Sequence, residues 1–199
     1  MKKLYLKRKS LEEPVSQHKK GEKVFITEQA IKRIRKVKIK GISEEAQENV
    51  FIAHQKLLKY SKEYNDSNET GCAVDLLNCC ITEMVKGDIN TLNLRINPVI
   101  DHMYRTAEEQ TIVICHNHPG LSYFSLNDIA EFLNCNCIKT MTIVTNAGKV
   151  MYISKNESYD RQYAVEKYKM MVNKADDIDS GKTVRNFLKK NRKLGIEKG

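Results

Sequence analysis

Five apolar or β-branched residues, Thr111-Ile112-Val113-Ile114-Cys115, run directly into His116-Asn117-His118-Pro119-Gly120. A short run of this kind reads as a buried strand, and the Pro-Gly pair ends it. Side chains alternate along a strand, so His116 and His118 turn to one face and Asn117 to the other. Beyond the break, Ser125 is placed to cap a helix that carries Ile129, Phe132 and Leu133 at helical spacing. Asp128 falls in the first turn of that helix, within reach of the histidines. One strand end and one helix start thus converge two imidazoles and a carboxylate.

That set of donors suits one zinc ion. A catalytic zinc takes three protein ligands and leaves its fourth position to water. It lowers the pKa of that water from about 15.7 to roughly 7. A histidine pair near a strand end is often an accident of the surface, and Ser-x-x-Asp is an ordinary helix start. Their combination around one Pro-Gly break, behind a buried strand, favours His116, His118 and Asp128 as zinc ligands.

His116-x-His118-Pro119 followed by Ser125-x-x-Asp128 resembles the motif of the JAMM (JAB/MPN+) zinc metalloproteases, a superfamily that includes RadC-like proteins and JAB domains of phage and mobile elements. The resemblance covers roughly residues 45 to 157, with its specific part in residues 116 to 128. The family pattern has seven residues between the second histidine and the serine; this chain has six, which makes Ser122 a rival to Ser125. The resemblance implies a mixed α/β domain of cytidine-deaminase-like architecture. It also implies hydrolysis of a peptide or isopeptide bond in a peptide or protein substrate. Ser125 would then hydrogen-bond the carbonyl oxygen as charge develops there. In that family a glutamate from an earlier strand acts as general base, which any such hydrolysis needs. Glu69, in Asn68-Glu69-Thr70-Gly71 before a strand-like run, is the best match. Glu83 is second, and Asp75 is also upstream.

The chain has 199 residues, enough for one domain with extensions. Its net charge of +9 is uneven. Residues 1–40 carry 14 basic and 4 acidic residues, residues 41–157 carry 9 and 15, and residues 158–199 carry 11 and 6. The expected organisation is a basic N-terminal extension over 1–42, a metallohydrolase domain over 43–157, and a C-terminal helix with a basic tail over 158–199. No apolar run approaches 18 residues, and the basic start leads to Lys7-Arg8-Lys9 instead of an apolar core. A cytoplasmic location with no membrane span is the expectation. None of the six cysteines has Cys-x-x-Cys spacing. They read as reduced packing residues, with Cys115 pointing away from the histidines.

The expected elements are a helix over 43–64, strands at 72–85 and 91–96, a helix near 99–109, the strand 111–115 and a helix over 126–136. A hairpin, 140–144 with 150–154, turns at Asn146-Ala147-Gly148. Helices therefore flank a mostly antiparallel sheet in a mixed α/β fold. Ile31, Ile34 and Val37 among Lys32, Arg33, Arg35, Lys36, Lys38 and Lys40 predict a basic amphipathic helix or a basic strand. Tyr159, Tyr163, Tyr168 and Met171 predict a C-terminal helix, followed by Asp176-Asp177-Ile178-Asp179. Besides the hydrolase, two other functions fit. One is a RadC-like protein that binds nucleic acid through its basic extensions; the other is a non-catalytic JAB-fold assembly domain. Tyr123 and Phe124 stand where they would flank a substrate or pack internally.

Overall fold

The computed structural model describes residues 22–173 and 180–199. The motifs around Lys7-Arg8-Lys9 and Asp176-Asp177-Ile178-Asp179 lie outside these. The fold is α/β, with a mixed, mostly antiparallel sheet and helices on both faces. Among the described residues the strands are β1 (Thr70–Asp75), β2 (Cys80–Ile81), β3 (Val85–Lys86), β4 (Ile112–His118), β5 (Ile138–Thr145), β6 (Val150–Lys155) and β7 (Ile196–Lys198). Their order is β2-β1-β4-β5-β6-β7, with β3 also on β1. Only the central β4–β5 pair is parallel. The helices are α1 (Glu28–Arg33), α2 (Glu44–Tyr64), α3 (Pro98–Thr106), α4 (Leu126–Asn134), α5 (Arg161–Val172) and α6 (Ser180–Lys190). None of the described helices is long and apolar enough to cross a membrane.

Alternation along the strands sorts their side chains into two cores. Ile112 and Ile114 face α3, α4, α5 and α6, whereas Val113 and Cys115 face α1 and α2. β4 is buried along its whole length because both faces are covered. The period-two rule thus carries through to His116 and His118, which continue the face of Ile114.

Helix α2 starts where the sequence predicts. Ser43 accepts a hydrogen bond from the Ala46 N–H, and Ala46, Val50, Ala53 and Leu57 are buried on the sheet. Tyr64, at the end of that stripe, is exposed. The β5–β6 hairpin turns at the expected place. Gly148 adopts φ +83°, and a Cβ there would lie 2.1 Å from the Ala30 carbonyl oxygen, so glycine is required.

Three stretches depart from expectation. The strand expected over 72–85 breaks after Asp75, whose carboxylate accepts from the Leu77 and Asn78 N–H groups. The strand expected over 91–96 is instead a loop and a 3-10 turn at Leu94–Ile96. There Leu92 and Leu94 pack over Gly71, where a Cβ would approach them to 2.6 and 2.9 Å. The basic run 31–40 splits: α1 ends at Arg33, and an extended segment follows.

Ile26, Ile31, Ile34 and Ile39 are all buried against α2 and the sheet. The described part of the stretch read as an N-terminal extension is therefore packed onto the domain. The apolar positions spaced through its charges are what anchor it. At the C-terminus, Tyr159 precedes α5, and the chain returns as β7 on the edge of β6. All six cysteines are free thiols. Cys72, Cys115 and Cys137 are buried, while Cys80 on the edge strand is exposed.

Candidate functional site

The end of β4 and the start of α4 meet as the local sequence directs. Nε2 of His116 and Nε2 of His118 lie 3.1 Å apart. Asp128 Oδ1 lies 3.4 Å from the first and Oδ2 lies 3.5 Å from the second. Metal–ligand bonds of about 2.0–2.1 Å at tetrahedral angles would put ligand atoms about 3.3 Å apart. The three observed separations bracket that edge. Both histidines are buried, and Asp128 is largely so.

Second contacts orient each ligand. Ser122 Oγ lies 2.9 Å from His118 Nδ1, which leaves Nε2 facing Asp128, where it could serve as a metal ligand. Ser125 is the N-cap of α4 and completes a capping box with Asp128. Its N–H and its hydroxyl both donate to Asp128 Oδ2, at 2.6 and 2.8 Å, and its hydroxyl accepts from the Asp128 N–H. Those bonds hold the carboxylate with Oδ1 towards His116 and Oδ2 towards His118.

The electrostatics follow from charge and burial. Burial opposes ionisation of Asp128, but His116 and His118 outweigh it and hold the carboxyl well below the usual range. Burial works against a His116 imidazolium, yet Asp128 and Glu69 together keep His116 above its ordinary value. For His118 burial prevails, and its pKa is lowered.

Glu69 stands one residue before β1. It lines the same cavity, of about 640 Å³, as His116, His118, Ser122, Ser125 and Asp128. Alternation puts it on the face of Gly71 and Ala73, the face of the histidines. Burial pushes its carboxyl up to about 7, assisted by Asp128 and Asp88 and opposed by His116. The other two carboxylates lie elsewhere. Asp75 is at the far end of β1, opposite Ile112, and Glu83 is exposed between β2 and β3. Neither lines the cavity.

Several wall residues were not anticipated from sequence. Glu22, Lys23 and Val24 form part of the rim, where the Val24 N–H donates to the Pro119 carbonyl at 2.8 Å. Helix α6 contributes Lys182 and Arg185, and the Arg185 guanidinium sits 4.8 Å from the centre of the Tyr123 ring. Glu131 also lines the cavity and accepts a hydrogen bond from the Tyr104 hydroxyl. Phe124 is fully buried, so of the two aromatics in the loop only Tyr123 faces the cavity.

Asn117 and Asn146, both fully buried, form a polar knot behind the histidines. The alternation that turns Asn117 away from the histidines, into a core, is the sequence signal that could have found it.

Comparison with protein-family models, curated proteins and solved structures finds no match to this chain.

Proposed function

We propose that this protein is a zinc-dependent hydrolase of peptide or isopeptide bonds, in the manner of the JAMM metalloproteases that its motif resembles. The observation that carries the reading is the convergence of His116 Nε2, His118 Nε2 and an Asp128 carboxylate oxygen within 4.8 Å of one another, in a cavity that also holds Glu69. Two imidazoles and one carboxylate match the donor set of a hydrolytic zinc site. Zinc held there would act as a Lewis acid and make hydroxide available near neutral pH.

The roles of the chain's own groups then follow. A carboxyl titrating near neutrality is suited to take a proton from the attacking water and hand it to the departing amine, and Glu69 titrates at about 7. The positive charge of a bound ion would lower that value and favour the basic form. Ser125 lines the cavity and would turn its hydroxyl from Asp128 to the developing oxyanion. His118 is fixed by Ser122, and Asp128 by the α4 cap.

The test is metal content by plasma mass spectrometry on the native chain beside His118→Ala and Asp128→Ala. The expected result is about one zinc per chain, lost in both variants while circular dichroism keeps the native spectrum. Peptide hydrolysis should then be lost in Glu69→Gln with zinc retained. A native chain that takes up no zinc after reconstitution sinks the reading.

A second reading rests on one surface. Lys32, Arg33, Arg35, Lys36, Lys38 and Lys40 are all exposed along one packed segment, a stripe suited to a polyanion such as nucleic acid. Lys36 and Lys40 already pair with Glu48 and Glu197. This reading predicts binding that falls steeply with salt and survives His116→Ala.

A further inference from the structure

Asn117 stands between the two histidines but faces the opposite core. Each hydrogen-bonding group of its carboxamide has a partner. Oδ1 accepts from the Thr70 N–H at 2.7 Å, and Nδ2 donates to the Asn68 carbonyl at 3.0 Å and to Asn146 Oδ1 at 2.7 Å. Asn68 and Thr70 are the two neighbours of Glu69. One side chain therefore bonds the main chain immediately before and immediately after that glutamate.

The pairing of β1 with β4 explains why a side chain does this. The backbone ladder between them ends at Gly71 opposite His116. One step further along the same register Thr70 would face Asn117, and there the carboxamide takes the place of the main-chain partner. On its other edge Glu69 has ordinary backbone partners: its N–H donates to the Asp88 carbonyl, and its carbonyl accepts from the Gly87 N–H, both at 2.8 Å. Asn146 holds the preceding loop separately, donating to the Val24 and Ser67 carbonyls at 2.7 and 2.8 Å. Asp66 and Ser67, which lead into this segment, both have positive φ and rely on such contacts to hold them.

We infer that Asn117 is a positioning residue: by clamping the backbone on both sides of Glu69, it fixes that carboxylate relative to His116 and His118. The inference rests on the hydrolase reading and on Glu69 as its base. His116 and His118 flank Asn117 in one strand, so the Glu69 backbone cannot shift relative to them without breaking these bonds. Small displacements of a reacting group cost large factors in rate, and buried polar networks supply that rigidity.

The test uses the full chain loaded with cobalt(II) in place of zinc, whose visible absorption reports the geometry and hydrogen bonding at the metal. Asn117→Ala should bind one cobalt per chain, lose exchange protection at the Thr70 amide, and change the visible spectrum as Glu69→Gln does. The double variant should go no further than Glu69→Gln alone, since Asn117 acts through Glu69. Asn146→Ala disrupts the same knot but spares both bonds that straddle Glu69, so its spectrum should stay near native. On any hydrolysed peptide, Asn117→Ala should lower kcat about 100-fold with KM unchanged. If Asn117→Ala does not fold, Asn117→Asp keeps the acceptor, removes both donors, and should shift the spectrum in the same direction.

A metal-loaded Asn117→Ala with the native spectrum overturns the inference alone. So does a double variant with additive changes, or an Asn146→Ala effect of equal size. A native chain that takes up neither cobalt nor zinc overturns the hydrolase reading, and this inference with it.

Discussion

Ser122 Oγ lies 2.9 Å from His118 Nδ1, on the side of the ring away from Asp128. The contact fixes the ring so that Nε2 faces the other two candidate ligands. Because Ser122 is exposed and caps no helix, its loss should leave the fold intact. If the site holds zinc as proposed, Ser122→Ala should weaken its binding by roughly 10- to 100-fold, the usual cost of losing a ligand's hydrogen-bond partner. Competition against a chelator of known affinity measures this; an unchanged affinity would remove Ser122 from the site.

Ser125→Ala should act on two levels. Loss of the cap should lower stability by about 1 kcal/mol. On the proposed zinc reading, freeing Asp128 Oδ2 should also weaken metal binding. Ser125→Thr should restore both, because its hydroxyl can make the same bonds. Urea unfolding and zinc titration on the three proteins separate the two effects.

Glu69 should make stability depend on pH in a definite direction. Its folded pKa is raised from 4.5 to about 7, chiefly by burial, so the native state holds the proton more tightly than the unfolded chain does. The stability this contributes is fully present below about pH 4.5 and is lost as pH rises through 7. In chelator-treated protein, Glu69→Gln should gain on the native chain by on the order of 2 kcal/mol between those limits, discounting for solvent that reaches the carboxyl. Denaturant unfolding at several pH values checks it, and a pH-independent gap would show that Glu69 titrates as an exposed acid.

Gly71→Ala should damage both the fold and the cavity. The new Cβ would meet Leu92 and Leu94 side-chain atoms at 2.6 and 2.9 Å and the Cys115 carbonyl oxygen at 3.1 Å. The leucines have to move, and Leu92 and Leu94 are part of the cavity wall. A loss of about 1–3 kcal/mol is expected, as for other overpacked cores. A melting temperature equal to that of the native chain would contradict the packing described.

The helix 44–64 and the 146–148 turn were legible because their causes are local: a serine cap with an apolar stripe in one case, turn residues between β-branched runs in the other. The run 91–96 was expected as a strand, and Leu92, Leu94 and Ile96 do alternate in it. In the structure Leu92 and Leu94 fill the space above Gly71, and no strand forms there. Ile31, Ile34 and Val37 read as the apolar side of a basic helix or strand in an extension, since nothing nearby in sequence shows the face of α2 that they pack against.

By itself the sequence determined the meeting of His116, His118 and Asp128. A two-residue period sets the side of both histidines, a Pro-Gly break turns the chain, and a capping box orients the carboxylate, all within 13 residues. The family resemblance ranks Glu69 first among the upstream carboxylates, but only the tertiary structure brings one of them to the cavity. Glu69 reaches the cavity because β1 runs antiparallel to β4 with Gly71 opposite His116, and the same register carries Asp75 to the far end. Strand register joins segments some 45 residues apart, and it is set by burial of both sheet faces, which no local pattern contains.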